Sequence, residues 1–362
     1  MAFSLGLREV QAILPSVNLL PPLIRPTHIH LEASSRCQLR CSSCPTASKE
    51  IDAAVGSGVL KFEDFRKFIE ANPYLKIIEL SNFGEIFLNP ELLNIVKLGH
   101  EKGIKLRMGN GVNFNHVSDE MLEAIVTCGV EVLSCSIDGA SQETYQQYRV
   151  RGNFDRVIGH VKKLNRFKEL YSSPTPHLIW QFIVFGHNEH EIPLAKQMAR
   201  ELGMELIFKL NWDESYSPMR NTDWVLKETN LPAASREEYF KQKGEDYKQD
   251  ICHQLWLEPQ INWNGKNLGC CRNYWGDFGG NAFRDGLLAT WNNAKMRYAR
   301  EMLTGQKPPR ADIPCSTCSI YQKMRSRKKW LVPEKTPDHL LVKRDGAFFL
   351  KKIWGRLARQ HP

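Results

Sequence analysis

THIHLEASSRCQLRCSSCP, residues 27–45, starts as a strand and ends as a cysteine loop. Ile29 and Leu31 alternate with histidines, Ser34-Ser35-Arg36 break the run, and Cys37, Cys41 and Cys44 follow before Pro45. Functional side chains set directly after a strand are what a parallel α/β sheet offers at its carboxyl edge. Reading outward, KIIELSNF (76–83), IKLRMGNG (104–111), EVLSCSIDG (131–139), HLIWQFIVF (177–185) and MELIFKL (204–210) are five more short apolar runs bounded by Gly, Asn or Ser. Between them lie helical periods such as FEDFRKFIEANP (62–73), PELLNIVKLGHEKG (90–103), SDEMLEAIVTCGV (118–130) and NFDRVIGHVKKLNRFKELY (153–171). Strands alternating with helices of this length imply parallel βαβ units. The fold expected over 26–211 is therefore α/β, a partial (β/α)6 parallel barrel.

The rest of the chain is organised differently. NWDESYSPMRNTDW (211–224) and EEYFKQKGEDYKQD (237–250) read as loop and linker, so 212–249 is assigned as a linker. Residues 250–322 carry five of the ten cysteines with many Gly, Asn and Pro and little periodicity, the composition of a small loop-rich domain organised around metal. Residues 1–25 form an N-terminal extension and 323–362 a basic tail.

Composition bounds the function. The chain has 362 residues, 42% of them hydrophobic, enough for a sizeable core and roughly two domains. A charged fraction of 25% and a mean hydropathy of -0.41 exclude a polytopic membrane protein and wholesale disorder. The N-terminal stretch carries Arg8 and Glu9 and breaks at Pro15, Pro21 and Pro22, which is not a secretory signal, and a cytoplasmic location is expected. The net charge of +9 resides entirely in 323–362, where 12 Lys and Arg face 3 Asp and Glu; the preceding residues balance at 37 against 37. A neutral body argues against a nucleic-acid partner. In the tail, AFFLKKIWGRLARQHP (347–362) places Phe349, Ile353 and Leu357 every four residues among Lys351, Lys352, Arg356 and Arg359. This basic amphipathic helix fits either docking on the domain surface or a peripheral contact at the inner membrane face through 346–362.

Cys-x-x-x-Cys-x-x-Cys brings three thiolates onto one loop. Three ligands suit a 4Fe-4S cubane with one open iron; a closed zinc site would need a fourth, such as His28 or His30. In the second group, GKNLGC (265–270) closes an Asn-Gly hairpin on Cys270, and Cys315 and Cys318 form a CxxC. With Cys252 they make four thiolates, a closed set for an auxiliary 4Fe-4S cluster or a structural zinc. Cys271 is an alternative to Cys270, and Cys128 and Cys135 read as structural thiols.

The cysteine loop resembles that of the radical S-adenosylmethionine (radical SAM) superfamily, and the resemblance runs in order from about residue 28 to 210. LSNFGEIFLNPEL (80–92) is similar to the family's glycine–glutamate motif, which implies Gly84 and Glu85 at the SAM amino group. MGNG (108–111) implies Asn110; SIDG (136–139) with TYQQYR (144–149) implies Ser136 and Arg149 at ribose and carboxylate; QFIVFGHNEHEIP (181–193) implies Gln181 and Val184 on the adenosine side. Many members carry an aromatic residue before the third cysteine; here it is Ser43, and Phe83 is the candidate to compensate. The second cysteine group resembles a Twitch domain, a shortened SPASM module, and its four cysteines resemble those of the 2-deoxy-scyllo-inosamine dehydrogenase class.

The resemblance implies two 4Fe-4S clusters and SAM as cofactors, a flavodoxin- or ferredoxin-like reductant, and cleavage of SAM to a 5′-deoxyadenosyl radical that abstracts a substrate hydrogen. An auxiliary cluster without an open iron suits electron uptake, hence an oxidoreductase acting on an alcohol of a small sugar, cyclitol or envelope glycan. The alternatives are a peptide-modifying maturase and a non-enzymatic electron-transfer or sensing protein. Only about 25 residues precede the first strand, few for a packed leader-binding domain. Asp213, Glu214 and Asp277 lie in loops suited to a proton acceptor, and no spacing selects among them.

Overall fold

The computed structural model describes residues 24–332. Its centre is a sheet whose first six strands are β1 (His28–Leu31), β2 (Ile77–Glu79), β3 (Lys105–Val112), β4 (Val132–Ser136), β5 (His177–Val184) and β6 (Glu205–Leu210). They pair in chain order, all parallel, with helices in every connection. The six strands and the four helical periods read from the sequence are all present.

The two faces of the sheet differ in chemistry. Ile29, Leu31, Ile78, Leu106, Met108, Leu133, Cys135, Leu178, Trp180 and Phe182 join one apolar core with the surrounding helices. Their alternating neighbours His30, Glu79, Ser134 and Gln181 are buried polar residues on the other face. A parallel sheet covered by helices on both sides reads as continuous apolar runs. This alternation instead marks a barrel with one dry wall and one polar lumen. Helix starts are fixed by side-chain caps legible in the sequence: Ser118 accepts from the Met121 amide, Ser141 from Thr144 and Asn153 from Arg156.

Two features depart from the sequence reading. The stretch read as linker carries two helices, Thr222–Thr229 and Arg236–Lys243. The second is capped by Ser235 on the Glu238 amide and stopped by Gly244 at φ 66°. Second, the cysteine-rich region contributes strands to the core sheet: β7 (Gln260–Ile261) pairs parallel with β1, and β8 (Asn267–Gly269) pairs antiparallel with β7. The turn between them holds Gly265 at φ +83°, as the Asn-Gly signal requires. The tail helix expected over 346–362 lies outside the described residues.

Candidate functional site

Ser136 and Val184 are the last residues of β4 and β5, Asn110 and Gln181 lie within the C-terminal halves of β3 and β5, and Glu85 and the cysteine loop follow β2 and β1. The segment after β2 holds the cysteine loop in place. Gly84 packs so tightly beneath it that a β-carbon there would lie 2.2 Å from the Ser34 carbonyl oxygen, and the Glu85 amide donates to the Arg36 carbonyl at 2.7 Å. Gly84→Ala is expected to destabilise the fold by about 1–3 kcal/mol and lower cluster retention, because the obstacle is backbone; an unchanged melting temperature and iron content would contradict this.

The Phe83 and Gly84 amides donate to Glu32 at 3.0 and 3.2 Å. Burial pushes the Glu32 carboxyl up to about 8, against those amide donors. A carboxyl raised in the folded state holds its proton between about 4.5 and about 8 while the unfolded chain has lost it, so stability falls as pH rises through that window. Glu32→Gln, which keeps an acceptor, is expected to flatten that decline by an amount on the order of a few kcal/mol. Urea midpoints at pH 5 and pH 9 test this; an equally steep decline in the variant would contradict it.

Glu85 is buried, accepts from the Asn113 amide at 2.6 Å and the Phe87 amide at 3.3 Å, and is pushed up to about 7 by burial. Asn110 spends its side-chain amide on the Ser81 carbonyl at 2.7 Å and contacts His30 at 3.3 Å. Ser136 Oγ lies 2.6 Å from where Gly111 would carry a β-carbon. Gln181 donates to Ser134 and to the Gly109 carbonyl, and Val184 is buried. Arg149 forms a 2.6 Å ion pair with the fully buried Asp138 and donates to the Cys41 sulfur at 3.7 Å. Burial alone would lower the Arg149 pKa; Asp138 overrides it and keeps the guanidinium charged.

The cysteine loop has the donors that a thiolate cluster requires. Asn113 Nδ2 reaches the Cys37 sulfur at 3.6 Å, and Arg149 serves Cys41. Burial, with Glu85 and the neighbouring thiols, pushes Cys37 up to about 12, so this thiol ionises only beside a cation. Asn113 is not among the residues singled out from the sequence; its signal is the Asn-Phe-Asn step directly after β3. Aromatic cover at Ser43 comes from far along the chain: its hydroxyl bonds the Tyr148 hydroxyl at 3.3 Å and accepts from Trp212 Nε1 at 3.0 Å. The Phe83 ring packs edge-on to Tyr274, 6.3 Å away, on the side of helix Glu50–Val55, while its carbonyl accepts from the Thr46 hydroxyl at 2.7 Å. His28 and His30 face Glu258, each at 3.6 Å.

In the second group, Cys252, Cys270, Cys315 and Cys318 line one cavity walled by Leu255, Trp275, Phe278, Leu303 and Tyr321. Burial and the neighbouring thiols push Cys252 up to about 12. Cys271 is not part of this lining; its sulfur meets Gln254 Nε2 at 3.0 Å, and its carbonyl accepts from Asn82 beyond β2 at 2.9 Å. Among the described residues no three His, Cys, Asp or Glu side chains are set to hold a single metal ion. Thiols, three on one loop and four lining one cavity, are the donor type that a cubane takes. Cys135 is buried in the core and Cys128 partly buried. Asp213 and Asp277 cap their own turns, and Glu214 accepts from the Glu237 amide. A second cavity, between helices Phe154–Leu170 and Ile192–Glu201, includes Ser172–Pro174 and Gly203 at the opposite end of the strands and is remote from this chemistry.

The same fold occurs in the crystal structure of Streptococcus suis SuiB bound to S-adenosylmethionine, with a TM-score of 0.57 and 13% identity over 82% of this chain and 71% of that one. It also occurs in anSMEcpe with bound AdoMet, with a TM-score of 0.55 and 12% identity over 82% and 87%. Among curated proteins, the AdoMet-dependent heme synthase of Methanosarcina barkeri is 28% identical over 180 residues, 49% of this chain and 48% of its own. The chain is thus similar in sequence to an AdoMet-dependent enzyme and in fold to two proteins crystallised with S-adenosylmethionine. The Bacillus subtilis antilisterial bacteriocin subtilosin biosynthesis protein AlbA is 25% identical over 258 residues, 69% of this chain and 52% of AlbA. The chain thus spans about half the length of the curated relatives it matches. No protein-family model matches it. Among the described residues no helix is long and apolar enough to cross a membrane.

Proposed function

We propose that this chain is a radical SAM oxidoreductase. Residues 26–211 form its SAM-dependent core, 212–249 the connection, 250–322 a Twitch/SPASM-like auxiliary domain and 323–362 a basic tail. Cys37, Cys41 and Cys44 would hold one 4Fe-4S cluster, with Asn113 and Arg149 donating to two of its sulfurs. Gly84, Glu85, Asn110, Ser136, Arg149, Gln181 and Val184 surround the space for SAM. Cys252, Cys270, Cys315 and Cys318 would hold the auxiliary cluster. Together these groups supply reductive SAM cleavage, hydrogen abstraction from the substrate and uptake of the remaining electron.

The observation that carries the reading is the enclosure of the four auxiliary cysteines in one cavity with largely apolar walls. A site closed by four thiolates offers substrate no coordination position and suits electron transfer. The substrate class proposed is an alcohol of a small sugar, cyclitol or envelope glycan, with a flavodoxin- or ferredoxin-like reductant in the cytoplasm. A peptide-modifying role is the second reading. Its support is AlbA, which matches 69% of the chain, and SuiB, which shares the fold and was crystallised bound to its precursor peptide SuiA.

Reconstituted enzyme given carbon-deuterated cyclitols, sugars and peptides tests both readings by mass spectrometry of 5′-deoxyadenosine. Deuterium drawn from a carbinol carbon with a carbonyl product supports the oxidoreductase, and deuterium drawn from peptide carbons moves the assignment to a maturase. No SAM cleavage at all would leave the electron-transfer reading.

A further inference from the structure

On the β5–β6 side, the polar lumen ends in cations that belong to no sequence motif, although Lys209 touches the SAM-motif residue Gln181 and Arg272 acts on the Cys252 thiol. Lys209, facing inward near the end of β6, donates to Gln181. Arg236 donates Nη2 to the Leu210 carbonyl at 3.0 Å and lies 5.5 Å over the Tyr247 ring. The Tyr247 hydroxyl accepts from the Leu210 amide at 3.5 Å, and the adjoining Lys248 acts electrostatically on Lys209. Arg272, just past Cys271, reaches Asp246 at 3.9 Å and Ser319 at 3.2 Å. Four cations from four segments therefore meet where the core adjoins the cysteine-rich region.

Their countercharge is shared, with Asp138 acting on Lys209 and the Cys271 thiol and Asp246 on Lys248. Asp246 is shared between Arg272 and Lys323, the latter at 3.0 Å, and Glu214 acts on Arg236 while accepting from a backbone amide. Arg236 Nε is buried without a hydrogen-bond partner. Burial and the neighbouring Lys248 lower Lys209 to about 8, and burial with Arg236 and Arg272 lowers Lys248. Lys248 nonetheless remains solvent-exposed, so the cluster can be reached from water. Gathering like charges in this way costs stability that an arriving anion recovers.

We propose that the cluster of Lys209, Arg236, Lys248 and Arg272 binds a phosphate group of the substrate. A phosphate ester brings about −1.5 to −2 charges and three strong acceptors, against one charge for a carboxylate, and suits the forked donors of two arginines. Lys209 also feels Asp138 and Arg149, which flank Cys41, so a substrate anchored here extends toward the SAM-cluster side of the lumen. The inference rests on the proposed strand-end active site and narrows its substrates to phosphorylated ones.

Equilibrium dialysis of the reconstituted full chain against phenyl phosphate, with benzoate as a matched carboxylate and SAM retention measured in the same samples, tests it. Saturable binding of one phenyl phosphate per chain is expected, about tenfold or more tighter than benzoate and weakened about tenfold or more in Lys248→Ala and Lys248→Gln. Iron content equal to wild type shows that the variants are folded. Displacement by glucose 1-phosphate would assign the site to a soluble phosphate ester, and displacement only by phosphatidate vesicles to a lipid headgroup; either supports the site. No saturable binding, equal benzoate binding, or unchanged affinity in both variants overturns it. Phosphate binding without SAM retention would overturn the proposed function and leave the anion site standing.

Discussion

Replacing Cys37, Cys41 and Cys44 together by alanine is expected to lower iron after anaerobic reconstitution from about eight to about four per chain. It should also abolish 5′-deoxyadenosine formation. The loss follows from the separation of the two thiol groups: the first sits at the C-terminal end of β1, the second in a cavity of its own with a distinct apolar cluster. Removing one set therefore leaves the other intact. Iron and acid-labile sulfide, assayed beside SAM turnover, decide it. A fall from about four to none, with zinc retained, would make the second site structural and remove the argument for electron uptake.

Arg149→Met is expected to cost about 3–5 kcal/mol, because it leaves the fully buried Asp138 carboxylate without its cation. It also removes the donor to the Cys41 sulfur, so cluster retention should drop with the melting temperature. Adding Asp138→Asn removes the stranded charge and keeps an acceptor for the Ile183 amide, bonded at 2.7 Å. The double variant should recover more than half of the lost stability while cluster retention stays low. Stability within about 1 kcal/mol of wild type in the single variant would show that water reaches Asp138.

The barrel and its cysteine loop are legible in the amino-acid sequence. The strands can be read because apolar runs end at Gly, Asn or Ser, and the cysteine loop because three thiols at short spacing have few other uses. Contacts that the chain assembles across distance are not legible in this way. Tyr148 and Trp212 meet Ser43 from 105 and 169 positions away, and no local pattern points to either. Cys270 and Cys271 are neighbours in sequence, and only the turn after β8 sends one sulfur to the cavity and the other to Gln254. The helix at Arg236–Lys243 reads as linker although Ser235, Glu238 and Gly244 signal both its ends, because its strongly charged face hides any apolar period. The cations at 209, 236, 248 and 272 are spread over four segments, and their proximity is a property of the fold alone.

The parallel pairing of β7 with β1 has a practical consequence. A shortened chain ending near residue 211 would strip β1 of a hydrogen-bonded neighbour and present bare amides and carbonyls along the strand that leads into the cysteine loop. Such an edge recruits other chains. Efforts to express the barrel by itself should therefore yield aggregates rather than a minimal enzyme, and the two halves are best regarded as one folding unit whose seam is a β-ladder.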